Sequence, residues 1–408
     1  CMKKSINELA FFGGSPLFDI LLPVGQINIP EYERFEALMN DVFDRKYYTN
    51  QGKLTFEFED KFSELSGMKN SIAVTNGTVA ISIAAKALNL PVKSKVIVPS
   101  FTFIGTVQAL TWAGLEPVFA DIDLETHTIT YETVAPLLKN KNISAVLGVH
   151  LWGNPCDVER LDEIEQQYGI PVFYDAAHAV GSAYKNKSLA SFGHCSTFSL
   201  HATKVLQAAE GGVICTDDDE LAERIRNMRS SYGRRRQVSV PLVINGRFSE
   251  LQAAMALLSI EKFSEYVTNN KHRYLLYKEK LKNIAGLSAI EYDESMQGNY
   301  QYVVFRLNEE QFGLSRDLLV EILSSENIIA RKYFIPAAHK SVPYINMECA
   351  KINLPNTELL IQEVFQLPSG QIVTDEHIER ICELISFIQQ NAEGIKKNVE
   401  RERQCSQK

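Results

Sequence analysis

The chain of 408 residues is poor in cysteine and tryptophan and carries no excess of positive charge. Its seven cysteines are scattered without a CxxC pair, which argues against a disulfide framework and favours a reducing, cytoplasmic environment. No apolar run approaches the length of a membrane span, so we expect no membrane partner. The net charge of -8 argues against nucleic acid as the main partner. These absences leave an ordinary globular composition, which does not by itself indicate a function.

Short apolar runs alternate with stretches of helical periodicity across the first half of the chain. The runs predict strands near residues 71–75, 95–99, 117–120, 145–150, 171–174, 195–200 and 212–216. This alternation favours an α/β fold in which helices flank a mixed, mostly parallel sheet. Ligands of such sheets bind beyond the carboxyl ends of the strands, and the polar candidates described below fall at those ends.

The length of the chain favours a second, smaller domain. We expect an N-terminal arm over 1–30, a large cofactor-binding domain over 31–275, a smaller C-terminal α/β domain over 276–395 and a charged tail over 396–408. One long helix from residue 249 to about residue 282 is expected to connect the two domains. The charged end of the chain, from residue 391 onwards, is expected to be frayed.

The most informative stretch is an apolar run that ends in a polar cluster with one lysine. Residues 198–204 contain this run and end at Lys204, and Glu210-Gly211-Gly212 then leads into the next apolar run. A lysine amine held in a rigid, partly desolvated setting is suited to form a Schiff base. Most lysines lie on solvated surfaces, so the stretch needs a second group to support this interpretation.

Asp175 supplies that second group, because it ends the apolar run Val172-Phe173-Tyr174 upstream of Lys204. A carboxylate at this position can pair with the ring nitrogen of pyridoxal 5'-phosphate (PLP) and keep the ring protonated as an electron sink. The alternatives are a helix cap or, together with His178, a metal ligand. No third ligand stands at a useful spacing, so we expect no metal.

Two further motifs follow predicted strands. Asn76-Gly77-Thr78 opens a helix, and the free N–H groups of a helix start can bind a phosphate. Helix capping by Asn76 or Thr78 is the more frequent role of such a motif on its own. Phe103 could stack on a flat cofactor ring, whereas core packing is the more frequent fate of a phenylalanine.

Taken together, the motifs resemble those of one known family over most of the chain, from about residue 11 to residue 385. The sequence is similar to the DegT/DnrJ/EryC1/StrS sugar aminotransferases, which are PLP-dependent enzymes of fold type I. The resemblance implies a large domain with a mixed, mostly parallel sheet and a smaller C-terminal α/β domain. The matching segments are residues 76–78, 99–103, 118–123, 149–153, 175–181, 198–204, 210–212 and 245–250.

The resemblance assigns catalytic roles to three residues. Lys204 would bond to PLP and then act as the base that moves a proton during transfer, with pyridoxamine 5'-phosphate as the intermediate form of the cofactor. Asp175 would hold the ring nitrogen, and His178 would lie beside the ring. Related sugar 3-dehydratases carry histidine in place of this lysine, so Lys204 favours transamination.

Other residues would bind the cofactor if the resemblance holds. Phe103 would stack on the ring, and Asn245 would reach the phosphate bound by the neighbouring subunit, which implies a homodimer with shared active sites. The remaining residues would hold the phosphate through the helix start and a hydroxyl group, and they are Gly77, Thr78, Val79 and Ser199.

Flanking segments are most similar to dTDP-4-keto-6-deoxyglucose 4-aminotransferases, which use L-glutamate and make dTDP-4-amino-4,6-dideoxyglucose. Such products enter lipopolysaccharide or natural-product glycans. One alternative is a 3-aminotransferase that acts on a dTDP-3-keto-6-deoxyhexose. The other is a non-enzymatic regulator that binds PLP, which would predict a missing Lys204 or a spoiled pocket.

Four residues are candidates for contact with the nucleotide sugar. The guanidinium groups of Arg229 and Arg234 match the geometry of phosphate oxygens, although a solvated basic loop explains each of them equally well. Tyr333 and His339 lie on a segment that is expected to approach the sugar.

Overall fold

The computed structural model describes residues 3–231, 236–293 and 295–406. Its strands are β1 (Asn70–Val74), β2 (Lys95–Pro99), β3 (Glu116–Ala120), β4 (Ile143–Val149), β5 (Val172–Asp175), β6 (Ala183–Tyr184), β7 (Lys187–Ser188), β8 (Ser196–Ser199), β9 (Gly212–Thr216), β10 (Leu287–Ala289), β11 (Met296–Gln297), β12 (Val303–Leu307), β13 (Arg331–Lys332) and β14 (Val364–Leu367).

The α-helices lie between these strands and at both ends of the described chain. They are α1 (Tyr32–Arg45), α2 (Lys53–Ser66), α3 (Gly77–Ala87), α4 (Ile104–Trp112), α5 (Tyr131–Val134), α6 (Val158–Tyr168), α7 (Asp219–Arg229), α8 (Glu250–Glu261), α9 (Phe263–Leu281), α10 (Glu309–Phe312), α11 (Arg316–Ser325), α12 (Pro355–Glu363), α13 (Asp375–Gln390) and α14 (Ala392–Ser406).

A seven-stranded sheet in the order β1-β9-β8-β5-β4-β2-β3 forms the centre of the molecule. The pairs from β8 to β3 are parallel, and β9 runs antiparallel to both of its neighbours. Helices cover both faces, which is why most residues of the central strands β4, β5 and β8 are buried. The predicted α/β fold with a mixed, mostly parallel sheet is confirmed.

Alternate side chains of this sheet enter two separate cores. Phe198 of β8 packs on one face with Phe58 and Phe62 of α2. Phe173 of β5 packs on the other face, in the core that α3, α4 and α7 share. Because helices fix the sheet from both sides, the residues that follow its strands are held in defined positions.

A second, four-stranded antiparallel sheet has the order β10-β12-β14-β13. Its core includes Tyr277 of α9, Ile381 of α13, and Leu9 and Phe18 from the N-terminal arm. The arm therefore packs on this smaller unit. The domain limits at residues 30, 275 and 395 stay a prediction.

Two sequence expectations about helices are wrong. The expected single helix from residue 249 to residue 282 is two helices, α8 and α9, because the backbone leaves the helical region at Lys262. The expected fraying from residue 391 is not found in the described part, since α14 runs to Ser406. Its side chains Ile395 and Val399 are buried in the core of the smaller unit, which holds the helix in place.

Candidate active site

One cavity of about 580 Å³ opens where the carboxyl ends of central strands approach the smaller sheet. Its wall combines the first turn of α3, the end of β5 and the loop after β8 with residues of β13 and β14. All three catalytic candidates from the sequence, Asp175, His178 and Lys204, line it. The expected cofactor-binding residues of this chain line it as well, and they are Gly77, Thr78, Val79, Phe103 and Ser199. The volume is typical of a site for a small molecule.

Lys204 lies in the loop after β8, and its Nζ is 2.9 Å from the hydroxyl of Tyr302. Burial lowers the pKa of the Lys204 amine; nearby Tyr333 and Asp175 oppose the shift, and the positive charge of Arg331 adds to it. A larger fraction of this amine is therefore neutral near pH 7 than for an exposed lysine. A neutral amine has the free electron pair that a nucleophile or a base requires.

Asp175 is the last residue of β5 and lines the cavity. The Thr106 hydroxyl donates to Oδ2 at 2.8 Å, and the Ala177 N–H donates to Oδ1 at 3.0 Å. Burial raises the pKa of this carboxyl group, although both hydrogen bonds and the charge of Lys204 favour the ionised form. A cation brought against Asp175 would offset the cost of burying its charge.

His178 is held from two sides. Its Nδ1 accepts a hydrogen bond from the Trp152 N–H at 3.1 Å, and its Nε2 lies 2.9 Å from the hydroxyl of Tyr302. Its ring stacks on the Trp152 indole at a centroid distance of 5.7 Å. Burial, reinforced by the charge of Lys204, lowers the pKa of His178 well below its usual value, so the imidazole is neutral.

The first turn of α3 and the neighbouring Ser199 form a polar surface, called here the α3 cradle, which consists of Gly77, Thr78 and Ser199. Asn76 caps the helix by accepting from the Val79 N–H at 2.9 Å, so the capping alternative is correct for Asn76. The Val79 amide is therefore engaged within the chain, and this disfavours its expected role as a phosphate donor. The N–H groups of Gly77 and Thr78 belong to the same first turn and have no acceptor within the helix.

Ser199 lies directly beside this helix start. A Cβ placed on Gly77 would come within 3.0 Å of the Ser199 Cβ and 3.5 Å of its Oγ. The missing side chain at position 77 leaves the hydroxyl of Ser199 next to the two amides. Several neutral donors at a helix N-terminus form a setting that favours an anion.

Phe103 is exposed over 60% of its surface and lines the cavity. It does not pack in the core, where Phe101 lies instead. Gly105 makes room for its ring, because a Cβ on Gly105 would lie 2.4 Å from the Phe103 Cε1. A flat aromatic face is thus available to a ligand in the cavity.

Among the substrate candidates, only Tyr333 lines this cavity within the described chain. Arg229 is 2% exposed and donates to Glu59 at 2.6 Å and to the Ala73 carbonyl at 2.9 Å. Its guanidinium is buried and already bonded to Glu59, so it cannot reach a diphosphate in the cavity. The expected contact with a diphosphate is therefore wrong.

His339 also lies away from the cavity. It is 4% exposed, with Nδ1 at 2.6 Å from the Ser100 hydroxyl and Nε2 at 3.0 Å from Glu358. The expected sugar contact is wrong because both ring nitrogens hold neighbouring segments together. Arg234 lies outside the described residues. Asn245 is exposed and does not line the cavity of its own chain, so its reach into a neighbouring subunit stays a prediction.

Sequence reasoning missed several residues of the cavity. Tyr302 and Arg331 come from the smaller sheet, and Thr106 comes from the first turn of α4. No local motif marks Tyr302 or Arg331, because the two sheets are distant in sequence. Thr106 had a signal, since it follows the polar segment after β2.

The donor set fits PLP. The Lys204 amine can bond to its carbonyl carbon, the Asp175 carboxylate can pair with its ring nitrogen, and the exposed face of Phe103 matches its flat ring. The amides of Gly77 and Thr78, together with the Ser199 hydroxyl, suit its phosphate. The described chain contains no group of three or more His, Cys, Asp or Glu side chains that could hold a metal ion.

Comparison with known proteins gives the same assignment. The model of the DegT/DnrJ/EryC1/StrS aminotransferase family matches residues 31–386. A dTDP-4-amino-4,6-dideoxy-D-glucose transaminase of Shigella dysenteriae is 32% identical, with 90% of this chain and 98% of that protein covered. A GDP-perosamine synthase of Vibrio cholerae is 28% identical, with the same coverage of both chains.

A solved structure is also similar over the whole length. DesI, crystallised in the presence of its TDP-sugar product, is 35% identical and superposes with a TM-score of 0.91, with 98% of this chain and 100% of that chain covered. None of the helices in the described part of this chain is long and apolar enough to cross a membrane. The chain belongs to the DegT/DnrJ/EryC1/StrS aminotransferase family, and it is therefore a fold type I enzyme with PLP as its cofactor.

Proposed function

We propose that this enzyme moves the amino group of L-glutamate to dTDP-4-keto-6-deoxyglucose and thereby makes dTDP-4-amino-4,6-dideoxyglucose. The observation that carries the proposal is the meeting of Lys204, Asp175 and the α3 cradle in one cavity of a chain similar to a transaminase of that sugar. The resemblance to DesI, which was crystallised with a TDP-sugar product, supports the same nucleotide.

Four residues of the cavity have a task in this reaction. When bound, PLP supplies a carbonyl carbon for an amine and a ring that accepts electrons from the substrate carbon. Lys204 is the base that takes a proton from that carbon and returns it, since burial keeps a fraction of its amine neutral. Asp175 keeps the ring nitrogen protonated, and Thr106 and Ala177 fix the orientation of its carboxylate.

The amino donor requires a site for its carboxylates, and we assign the α-carboxylate of L-glutamate to Arg331. This guanidinium lines the cavity, is exposed, and forms no ion pair with a carboxylate of the described chain. Its charge affects the pKa values of both Lys204 and Tyr302, so it lies near the reacting amine. The α-carboxylate is attached to the reacting carbon of glutamate, whereas the diphosphate is farther from the keto carbon of the sugar.

We further propose a homodimer in which Asn245 of one subunit completes the phosphate cradle of the other. Asn245 is exposed in the single chain, and the cradle of its own chain has only neutral donors. Helices α1 and α2 and the loop between them carry exposed aromatic side chains, which favour coverage by a second subunit. They are Tyr32, Phe43, Tyr47, Tyr48 and Phe56.

We propose a cytoplasmic location, and the state of the thiols supports it. The cysteines whose side chains the structure describes are Cys156, Cys195, Cys215, Cys349 and Cys382, and none of these forms a disulfide. Free thiols, mostly buried, are typical of a reducing compartment.

The experiment that tests the substrate is a single turnover. The protein is converted to its aminated cofactor form with L-glutamate and freed of excess donor. It is then mixed separately with dTDP-4-keto-6-deoxyglucose, the 3-keto isomer and a GDP-linked 4-keto sugar. We expect rapid return of the original cofactor absorbance with the dTDP-linked 4-keto sugar, and the 4-amino product by NMR. Return only with the 3-keto isomer would establish the 3-aminotransferase alternative, and preference for the GDP sugar would overturn the nucleotide assignment.

A further inference from the structure

The hydroxyl of Tyr302 bridges two residues that the sequence had singled out. It lies 2.9 Å from the Lys204 Nζ and 2.9 Å from the His178 Nε2. Tyr302 lies directly before β12 of the smaller sheet, while Lys204 and His178 follow strands of the central sheet. The bridge is a hydrogen-bonded contact between the two units at the reacting amine.

Trp152, His178, Tyr302 and Lys204 form a chain of hydrogen bonds, and the Trp152 N–H at one end determines which atom of His178 donates. The Trp152 backbone N–H can only donate, so the His178 Nδ1 that accepts it carries no hydrogen. The neutral imidazole therefore has its hydrogen on Nε2 and donates it to the Tyr302 oxygen. A protonated Lys204 amine donates to that oxygen. When the amine is neutral, the oxygen can instead donate its own hydrogen to the amine's lone pair, so the neutral amine gives the Tyr302 hydroxyl hydrogen an acceptor. Each donated bond polarises the next and strengthens the final one.

The rings of this chain are packed tightly. Tyr302 and His178 are buried, with ring centroids 4.3 Å apart, and the Tyr302 ring also contacts Trp152 at 5.2 Å. A hydroxyl fixed by these contacts costs little conformational entropy when it meets the amine. Replacing Tyr302 by phenylalanine would keep the ring contacts and remove only the hydroxyl.

We propose that Tyr302, supported by His178 and the Trp152 N–H, is a positioning residue that holds the Lys204 amine in its neutral form whenever Lys204 is not bonded to the cofactor. The inference rests on the proposed role of Lys204 and goes beyond it. The titratable groups that face Lys204 are Asp175 at the end of β5, His178 after it, Tyr302 before β12, Arg331 in β13 and Tyr333 after β13. Of these, Tyr302 has its hydroxyl in hydrogen-bond contact with Nζ.

The test uses the apoenzyme and no sugar. The rate of covalent capture of PLP by Lys204 is followed by absorbance over a pH series in the wild type and in Tyr302→Phe. We expect the midpoint of the pH profile to move up by about 0.5–1 unit in the variant, with capture slowed roughly three- to tenfold below the midpoint, which corresponds to the loss of one hydrogen bond. An unmoved or lowered midpoint would overturn the proposal, whichever sugar the enzyme uses.

Tyr277→Phe is the matched control. Tyr277 is fully buried, and its hydroxyl donates to the Pro368 carbonyl at 3.0 Å in the core of the smaller unit. This variant loses a buried hydroxyl without touching the cavity, so its pH midpoint should equal that of the wild type. A shift equal to that of Tyr302→Phe would show that general loss of stability causes the effect.

A second measurement needs no change at Tyr302. Nitrogen NMR of the wild-type apoenzyme with ¹⁵N-labelled histidine reports which ring nitrogen of His178 carries hydrogen, and the signal is assigned by its loss in His178→Gln. We expect the tautomer with hydrogen on Nε2. Hydrogen on Nδ1 would reverse the chain and overturn the proposal even if the phenylalanine variant failed to fold.

Discussion

The carboxylate of Asp175 is buried in the wall of the cavity. Its two hydrogen bonds come from Thr106 and Ala177, and burial still raises its pKa. A protonated ring nitrogen would offset this cost, so its pairing with Asp175 contributes to the affinity for PLP. The strength of that pairing depends on how well the neighbouring donors hold the carboxylate.

Thr106→Val should weaken the affinity for PLP by about tenfold, because one hydrogen bond to the Asp175 carboxylate is worth roughly 1–1.5 kcal/mol. The dissociation constant is measured by titrating the apoenzyme with PLP. Thr111→Val is the control, since Thr111 lies on the same helix and its hydroxyl meets Tyr344 at 2.7 Å outside the cavity. Equal affinity in the Thr106 variant and the wild type would contradict the role given to Asp175.

Arg331→Gln should impair the reaction with L-glutamate while sparing the reaction with the sugar. Loss of a hydrogen bond between charged groups is worth about 1.5–3 kcal/mol, so the rate at low glutamate should fall roughly 10- to 100-fold. The two half-reactions are measured separately by rapid mixing. Lys332→Gln, which alters the next residue in β13, should leave both rates unchanged. A defect confined to the sugar half-reaction would place the diphosphate at Arg331 instead.

The local motifs could be predicted from the sequence, and the long-range contacts could not. Lys204 and Asp175 each follow an apolar run, and the carboxyl ends of parallel strands meet at one edge of a sheet. Arg229 was misjudged because its partner Glu59 is remote in sequence and lies in a different helix. Tyr302 was missed because the packing of the smaller sheet against the central sheet decides its position.

At the scale of elements, the start of α3 depends on how closely β9 approaches it. A Cβ on Gly212 would lie 2.5 Å from the carbonyl carbon and oxygen of Asn76, the residue that caps α3. The Glu-Gly-Gly sequence that leads into β9 and ends at its first residue, Gly212, therefore has a structural reason besides its place in the motif. The absence of a side chain at Gly212 allows β9 to lie against the start of α3, where Gly77 and Ser199 are in close contact.

Gly212→Ala should destabilise the fold by about 1–3 kcal/mol, because the backbone of Asn76 must move to admit a methyl group. The displaced helix start should also lower the affinity for PLP. Both effects are measured by denaturant unfolding of the apoenzyme and by PLP titration. Gly298→Ala is the control, since its new Cβ would meet only ordinary contacts, the nearest at 3.7 Å. Unchanged stability in Gly212→Ala would contradict the close approach of β9 to α3.

The helix boundaries that the sequence misjudged have a tertiary cause. The break at Lys262 separates α8, which packs on the large core, from α9, which begins on the same core at Phe263 and reaches the core of the smaller unit at Tyr277. The charged composition of α14 predicts fraying, but Ile395 and Val399 anchor this helix in the same small core. Periodicity over a short window does not show which of two cores a helix joins.

At the scale of the whole molecule, the cavity is a junction of the two sheets and, in our proposal, of two subunits. The central sheet contributes Lys204 and Asp175, and the smaller sheet contributes Tyr302 and Arg331. A change in the packing of the units would alter the contact between Tyr302 and Lys204. The proposed partner residue, Asn245, would make each site depend on the dimer.

A mixed dimer tests the shared site. Lys204→Ala and Asn245→Ala chains are co-expressed with different affinity tags, and the heterodimer is purified through both tags. Each variant alone should be inactive or strongly impaired. If Asn245 serves the neighbouring subunit, one site of the heterodimer has both native residues, and about half of the wild-type activity should return. An inactive heterodimer would place Asn245 outside the partner's site.

The most direct test of the proposed reaction follows the transferred atom. The enzyme is supplied with PLP, ¹⁵N-labelled L-glutamate and dTDP-4-keto-6-deoxyglucose, and the product is examined by NMR in the wild type, in Lys204→Ala and in Lys351→Ala. Lys351 is an exposed residue paired with Glu348 and serves as the control. We predict ¹⁵N bonded to C4 of the sugar with the wild type and the control, and no labelled sugar with Lys204→Ala. Labelled product from Lys204→Ala, or label at another carbon, would contradict the proposal.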